Sequence, residues 1–126
     1  MDIDATTRLL GLIGYPIGHS LSPEMHNRAL EAAKLKYCYL PLPVTPGTLG
    51  QAITGLKAIG VRGFNVTIPY KERVMAYLDE IDAEAALIGA VNTVVNDDGH
   101  LIGYNTDGKG FLRAVQQELG FKQESD

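Results

Sequence analysis

Short apolar runs alternate with amphipathic stretches along the 126-residue chain. Continuous apolar runs bounded by turn residues are typical of buried strands, whereas apolar residues spaced three and four positions apart are typical of helices. This pattern predicts strands at residues 9–15, 37–42, 61–67, 90–96 and 100–105. It predicts helices at residues 22–34, 46–59, 70–78, 84–88 and 106–119.

Strands that alternate with helices favour parallel pairing, because each crossover returns the chain to the same end of the sheet. Asp97-Asp98-Gly99 is typical of a tight hairpin and adds one antiparallel pair. We therefore expect an α/β fold with a mixed, mainly parallel sheet and helices on both faces, a three-layer α/β/α arrangement. The spacing predicts that two helices bury the following residues: Met25, Ala29, Ala32 and Ala33 in the first, and Leu49, Ile53, Leu56 and Ile59 in the second.

Polar residues follow the first strand and precede the first predicted helix. Ser22 before Pro23 is typical of a helix N-cap, whereas Ser20 has no capping role by its spacing. Two hydroxyls beside a helix N-terminus are suited to binding a carboxylate. Capping alone and anion binding are both open interpretations of Ser22.

Polar residues also end the third predicted strand. Alternation places Asn65 and Thr67 on one face of the strand and Val66 and Ile68 on the other. Lys71 follows in the first turn of a predicted helix, where the helix dipole disfavours a cation. A solvated surface lysine is the simpler interpretation, but this position favours a functional role.

Three further polar features have both structural and functional interpretations. Asn92 lies in an apolar strand, so its amide must bond either to neighbouring backbone or to a ligand. Thr106 or Asp107 is interpreted as a cap of the last helix or as part of a site. The three histidines lie far apart without metal-type spacing, so no metal site is predicted.

Composition and charge narrow the class of protein. The net charge is −4 and no stretch forms a basic stripe, so nucleic acid is not expected as a partner. The apolar runs are too short to span a membrane, and the N-terminus is acidic where a signal peptide is basic. We expect a cytoplasmic protein. Cys38 is the single cysteine, which excludes an intramolecular disulfide.

Four motifs in order along the chain resemble the N-terminal, substrate-binding domain of shikimate dehydrogenases. They are Ser20-Leu-Ser22-Pro-x-x-His26-Asn27, Asn65-Val-Thr-Ile-Pro-x-Lys71, Gly89-Ala-x-Asn92-Thr and Asn105-Thr-Asp107-Gly. The resemblance runs from Gly11 to Phe111. It implies a domain at residues 1–120, followed at 121–126 by the start of a linker to an NADP-binding domain that is not present.

The resemblance also implies an activity and the residues that perform it. The whole enzyme would use NADPH to reduce 3-dehydroshikimate to shikimate, in chorismate and aromatic amino-acid biosynthesis. Ser20 and Ser22 would bind the substrate carboxylate, and ring hydroxyls would be bound by Asn65, Thr67, Asn92 and Asp107. Lys71 and Asp107 would be the catalytic pair and would also contact substrate.

No cofactor contact is expected within the chain. The segment from Gly108 to Arg113 lacks the third glycine of Gly-x-Gly-x-x-Gly, so NADP would be bound by the missing domain. This part alone would be inactive, and a monomer or a weak dimer. Two alternatives stay open: a quinate or dual quinate/shikimate dehydrogenase domain, and a non-catalytic shikimate-binding module. The presence of both Lys71 and Asp107 favours an enzyme.

Overall fold

A six-stranded mixed sheet forms the centre of the computed structural model, which describes residues 2–106. The strands are β1 (Arg8–Gly14), β2 (Tyr37–Pro43), β3 (Gly63–Val66), β4 (Glu80–Ile81), β5 (Thr93–Asp97) and β6 (His100–Tyr104). The helices are α1 (Ser22–Ala32), α2 (Leu49–Ala58), α3 (Ala83–Ile88) and a 3-10 helix at Arg73–Tyr77. Apart from Thr106, the last predicted helix and Asp107 lie outside the described residues.

The strands pair in the order β2-β1-β3-β5-β6-β4. β1 is parallel to both β2 and β3, and β4 is parallel to β6, whereas β5 is antiparallel to both β3 and β6. The predicted mixed, mainly parallel sheet is confirmed. The predicted hairpin is also confirmed, because Asp98 and Gly99 join β5 to β6 with φ of 55° and 94°, as Asp-Gly does in a type I′ turn.

Helices cover both faces of the sheet, as predicted. Leu10 and Leu12 of β1 pack in one cluster with Leu30 of α1. Ile13 of the same strand packs in a second cluster with Ile53 of α2. Because side chains alternate along a strand, these two clusters lie on opposite faces.

The predicted buried face of α1 is wrong. Met25 is 65% exposed, and Ala29, Ala32 and Ala33 are exposed as well. The helix instead turns Leu30 and its polar neighbours His26 and Asn27 towards β2, where they meet Tyr39. The His26 ring lies 4.4 Å from the Tyr39 ring, and Asn27 bonds to the Tyr39 backbone.

The predicted face of α2 is correct except at its end. Leu49 and Ile53 are buried, and Leu56 packs against the same core. Ile59 is 72% exposed, because the helix ends at Ala58 and Gly60 follows at a positive φ of 75°.

The predicted helix at residues 70–78 is also wrong, since only the 3-10 helix Arg73–Tyr77 forms there. The Lys71 carbonyl accepts the N–H of Val91 at 2.8 Å instead of a helical bond, and Leu78 is extended. Lys71 therefore precedes the 3-10 helix and does not lie in a first helical turn. The helix-dipole argument for a functional role of Lys71 no longer applies.

β4 was not predicted, because two residues are too few to show a pattern. It forms where Asp79 meets Leu101, whose N–H donates to the Asp79 carboxylate at 2.8 Å.

Candidate functional site

Three predicted site segments meet at one edge of the sheet. β1 and β3 are parallel neighbours, so the segments that follow them leave the sheet side by side, joined by Thr67 N–H to the Ile13 carbonyl at 2.9 Å. β5 runs in the opposite direction, so the residue before it reaches the same edge. The Asn92 carbonyl accepts the N–H of Val66 at 2.9 Å there, and Lys71 is joined by its carbonyl to Val91.

Three predicted binding residues line a single open cavity. Its volume is about 310 Å³, and its lining consists of Leu12, Pro16, Ile17, His19, Ser20, Ser22 and Thr67. This volume is at the small end of the range for small-molecule sites. The lining combines three hydroxyls with an apolar surface and contains no carboxylate. It is therefore suited to a small ligand that carries a negative charge.

The backbone around the two serines differs from the capping interpretation. Ser22 is the first residue of α1 and its side chain makes no capping bond. The Ser20 Oγ accepts the Ser22 N–H at 3.1 Å, as serines do in short turns before helices. The interpretation of Ser22 as a cap is wrong, because Leu21 occupies the N-cap position with helical backbone angles. Ser22 lines the cavity, and no capping bond occupies its hydroxyl.

Neutral hydrogen-bonding groups form a network on the α1 side of β3 and β5. The Tyr39 hydroxyl donates to Asn65 Oδ1 at 2.8 Å. The Asn65 amide nitrogen donates to the Asn92 carbonyl at 3.3 Å and to Thr93 Oγ1 at 3.1 Å. Asn92 Oδ1 accepts from the Thr93 hydroxyl at 2.9 Å, and from the N–H and hydroxyl of Thr106 at 3.0 and 3.1 Å.

Sequence reasoning missed two members of this network, Tyr39 and Thr93. It left Thr106 open between a cap of the last helix and part of a site, and the hydrogen bonds of Thr106 to Asn92 place it in the network. The role of Tyr39 could have been suspected from its place in a predicted strand, since a buried tyrosine hydroxyl normally needs a hydrogen-bond partner. Burial raises the pKa of Tyr39 far above its ordinary value, so the hydroxyl stays a neutral donor.

Lys71 is exposed beside this edge. Within residues 2–106, no carboxylate forms an ion pair with it. Its predicted partner Asp107 lies outside the described residues, so the pairing stays a prediction.

The described part of the chain contains neither a metal-binding cluster nor a membrane-spanning helix. There, no group of three or more metal-binding side chains comes together. Among the same residues, no helix has the length and apolar character needed to cross a membrane. The cytoplasmic location stays a prediction.

Comparison with known proteins places the sequence motifs in one family. Residues 12–94 match the family model described as the shikimate dehydrogenase substrate binding domain. The chain is 57% identical to the NADP(+) shikimate dehydrogenase of Carboxydothermus hydrogenoformans over 117 residues, which are 93% of this chain and 42% of that protein. The chain thus spans less than half the length of this relative.

Solved structures agree with this match. A shikimate dehydrogenase in complex with NADP+ is 53% identical, with a TM-score of 0.84 over 94% of this chain and 42% of that one. The shikimate 5-dehydrogenase of Listeria monocytogenes, solved with shikimate and NAD, is 48% identical with a TM-score of 0.83, over 95% of this chain and 41% of that one.

Proposed function

Because the chain belongs to the shikimate dehydrogenase family, we propose that it forms the substrate-binding part of an NADP-dependent enzyme that reduces 3-dehydroshikimate to shikimate. The observation that carries this proposal is the meeting of a hydroxyl-lined cavity and a neutral amide network at one sheet edge, beside Lys71. A hydroxylated ring with one carboxylate needs these two kinds of group.

The cavity is suited to the carboxylate. The hydroxyls of Ser22 and Thr67 donate to it, and Ser20 lines the same wall. The resemblance implies that Thr67 binds a ring hydroxyl, but Thr67 shares this cavity with the serines, so we assign it to the carboxylate instead. The N-terminus of α1 adds partial positive charge at this point. Since the chain is acidic overall, with a net charge of −4, these local donors must hold the anion without help from a favourable long-range field.

The amide network is suited to the ring hydroxyls. Asn65 and Asn92 carry donor and acceptor atoms on one short stretch of the sheet edge, and neither is charged. Hydroxyls are both donors and acceptors, so neutral amides bind them without the large desolvation cost of a buried ion. We propose that these residues, with Asp107, position the ring.

Lys71 supplies the proton in this proposal. Reduction of a carbonyl adds a hydride to carbon and a proton to oxygen, so a donor must lie within hydrogen-bond reach of that oxygen. A lysine ammonium is such a donor, and Asp107 would orient it.

The described residues do not fit the cofactor. After β1, Gly14 and Gly18 are separated by three residues, which does not match the Gly-x-Gly-x-x-Gly turn of a dinucleotide site. We assign no NADP contact to this chain, and propose that NADP is bound by a further domain of the whole enzyme.

A chimaera tests the proposed function. This chain replaces the corresponding segment of the Carboxydothermus enzyme, and NADP-dependent oxidation of shikimate is measured. We expect activity, and we expect Lys71→Ala to lower kcat by about 100-fold or more, because proton transfer contributes chiefly to the transition state. Lys57→Ala, whose charge is 3.9 Å from Asp79, is the control and should stay within about twofold.

Two results would contradict the proposal. A folded chimaera that binds shikimate without turnover supports the non-catalytic module, and faster oxidation of quinate than of shikimate supports the quinate alternative. The 126-residue chain alone should show no turnover, because we find no group among residues 2–106 that would fix the cofactor against the substrate.

A further inference from the structure

The hydrogen bonds of Asn65 define the orientation of its side chain. A backbone carbonyl only accepts hydrogen bonds, so the end of the amide that faces the Asn92 carbonyl is the nitrogen. The oxygen therefore faces Tyr39, and the Tyr39 hydroxyl must be the donor in the 2.8 Å contact. Both amide hydrogens point towards protein acceptors, Asn92 O and Thr93 Oγ1.

Tyr39 is itself held firmly. Its side chain is fully buried, and its backbone N–H and carbonyl bond to the Asn27 side chain at 2.8 Å each. The His26 ring packs against its ring with a tilt of 31°. A hydroxyl carried on so constrained a ring has little freedom to follow a moving partner.

We propose that Tyr39 is a positioning residue, whose hydroxyl fixes the direction of the Asn65 amide so that the second lone pair of Oδ1 accepts a hydrogen bond from a ring hydroxyl. This inference rests on the proposed function, because it concerns the same substrate. Without the Tyr39 hydroxyl, the amide oxygen loses its donor. Only the two hydrogen bonds of the amide nitrogen then hold the side chain, so its oxygen is less firmly oriented. Substrate binding must then fix the orientation of the Asn65 amide, and this cost weakens binding.

A double-mutant cycle tests this role. Shikimate is titrated calorimetrically into the 126-residue chain and into its Tyr39→Phe, Asn65→Ala and doubly substituted variants. We expect Tyr39→Phe alone to raise Kd about five- to tenfold, the effect of one lost hydrogen bond. In the Asn65→Ala background we expect no further effect, because Tyr39 acts through Asn65.

Tyr70→Phe is the matched control. Tyr70 is also fully buried and also donates one hydrogen bond, to the Val44 carbonyl, but it packs in the cluster on the opposite face of the sheet. It should lower thermal stability about as much as Tyr39→Phe does and leave the Kd for shikimate unchanged.

The outcomes separate this inference from the proposed function. An unaltered chain that does not bind shikimate overturns both. A chain that binds shikimate, but in which Tyr39→Phe has no effect or weakens binding equally with and without Asn65, overturns the positioning role alone.

A second measurement needs no substitution and covers the case in which Tyr39→Phe fails to fold. In NMR spectra of the unaltered chain, shikimate should shift the Tyr39 hydroxyl proton together with the Asn65 side-chain amide protons. An Asn65 shift without a Tyr39 shift contradicts the role.

Discussion

Gly14, the last residue of β1, packs closely against residues of the candidate site. A Cβ atom at this position would lie 2.4 Å from Thr67 Cγ2, 2.8 Å from Ile17 Cγ2 and 3.1 Å from the Ile68 carbonyl. Thr67 and Ile17 both line the cavity. Even one methyl group here must therefore displace the wall of the site, so only glycine fits.

We predict that Gly14→Ala lowers the free energy of unfolding by about 1–3 kcal/mol, the usual cost of overpacking, and weakens shikimate binding. Gly55→Ala in α2 is the control, because a Cβ atom there has no neighbour within 4 Å. It should raise stability by up to about 1 kcal/mol, since alanine favours the helix. Urea unfolding measures both. Equal effects of the two substitutions would contradict this account.

His26 gives the protein a pH-dependent stability. Burial lowers its pKa from the ordinary value of 6.5, so the unfolded chain binds a proton at a higher pH than the folded chain does. The unfolded state is therefore favoured progressively as the pH falls below about 6.5, and this contribution to stability is lost towards the lower pKa of the folded state.

We predict that the free energy of unfolding falls between about pH 7.5 and about pH 5, above the range in which carboxylates titrate. His26→Phe, which keeps a ring against Tyr39, should reduce that fall. His19→Gln, at an exposed position, should preserve it. Unfolding curves at the two pH values provide the measurement, and an unchanged slope in His26→Phe would refute the assignment.

At the scale of elements, α1 stabilises β2, the outermost strand on one side of the sheet. β2 is an edge strand, and edge strands carry backbone groups that no neighbouring strand can bond. The Asn27 side chain donates one hydrogen bond to the Tyr39 carbonyl and accepts one from the Tyr39 N–H. These two bonds replace the pair that a neighbouring strand would make. The same contact aligns α1 with the sheet and so positions Ser20 and Ser22 at its N-terminal end.

Asn27→Ala should therefore lower the free energy of unfolding by about 2 kcal/mol, since two hydrogen bonds of about 1 kcal/mol each are lost. Arg28→Ala, at the adjacent exposed position, should change it by less than about 0.5 kcal/mol. Thermal or urea unfolding of both variants tests this. A neutral Asn27→Ala would show that packing alone orders the helix.

These elements also show what could be predicted from the sequence. The strands and the Asp98-Gly99 turn follow from local pattern and chemistry. Parallel pairing also predicted that β1 and β3 end at the same edge of the sheet. The face of α1 was not, because alanine and methionine carry only a weak apolar signal and the tertiary contacts of His26 and Asn27 override it. Tyr39 joins the site through a contact between distant strands, which no local pattern contains.

At the scale of the whole molecule, the direction of each strand brings the site together. Two parallel strands end at the edge where an antiparallel strand begins. Thr67, Asn92 and the serines at the start of α1 therefore meet although they are far apart in sequence. The basic cavity lined by Arg8, Lys57 and Arg62 lies at the opposite ends of these strands. Its positive charge makes it the alternative binding site for a carboxylate. Ligand-induced NMR shifts at the two cavities can therefore be compared within one protein.

Titration of the 126-residue chain with shikimate, followed by backbone amide NMR shifts, tests the central claim most directly. We predict weak binding in fast exchange, with shifts at residues 20–22, 65–71, 92 and 105–107. Cyclohexanecarboxylate, which lacks the ring hydroxyls, should shift the amides of residues 20–22 and Thr67 but not that of Asn92. Shifts confined to the basic cavity at Arg8 and Arg62, or identical shifts with the two ligands, would contradict the account.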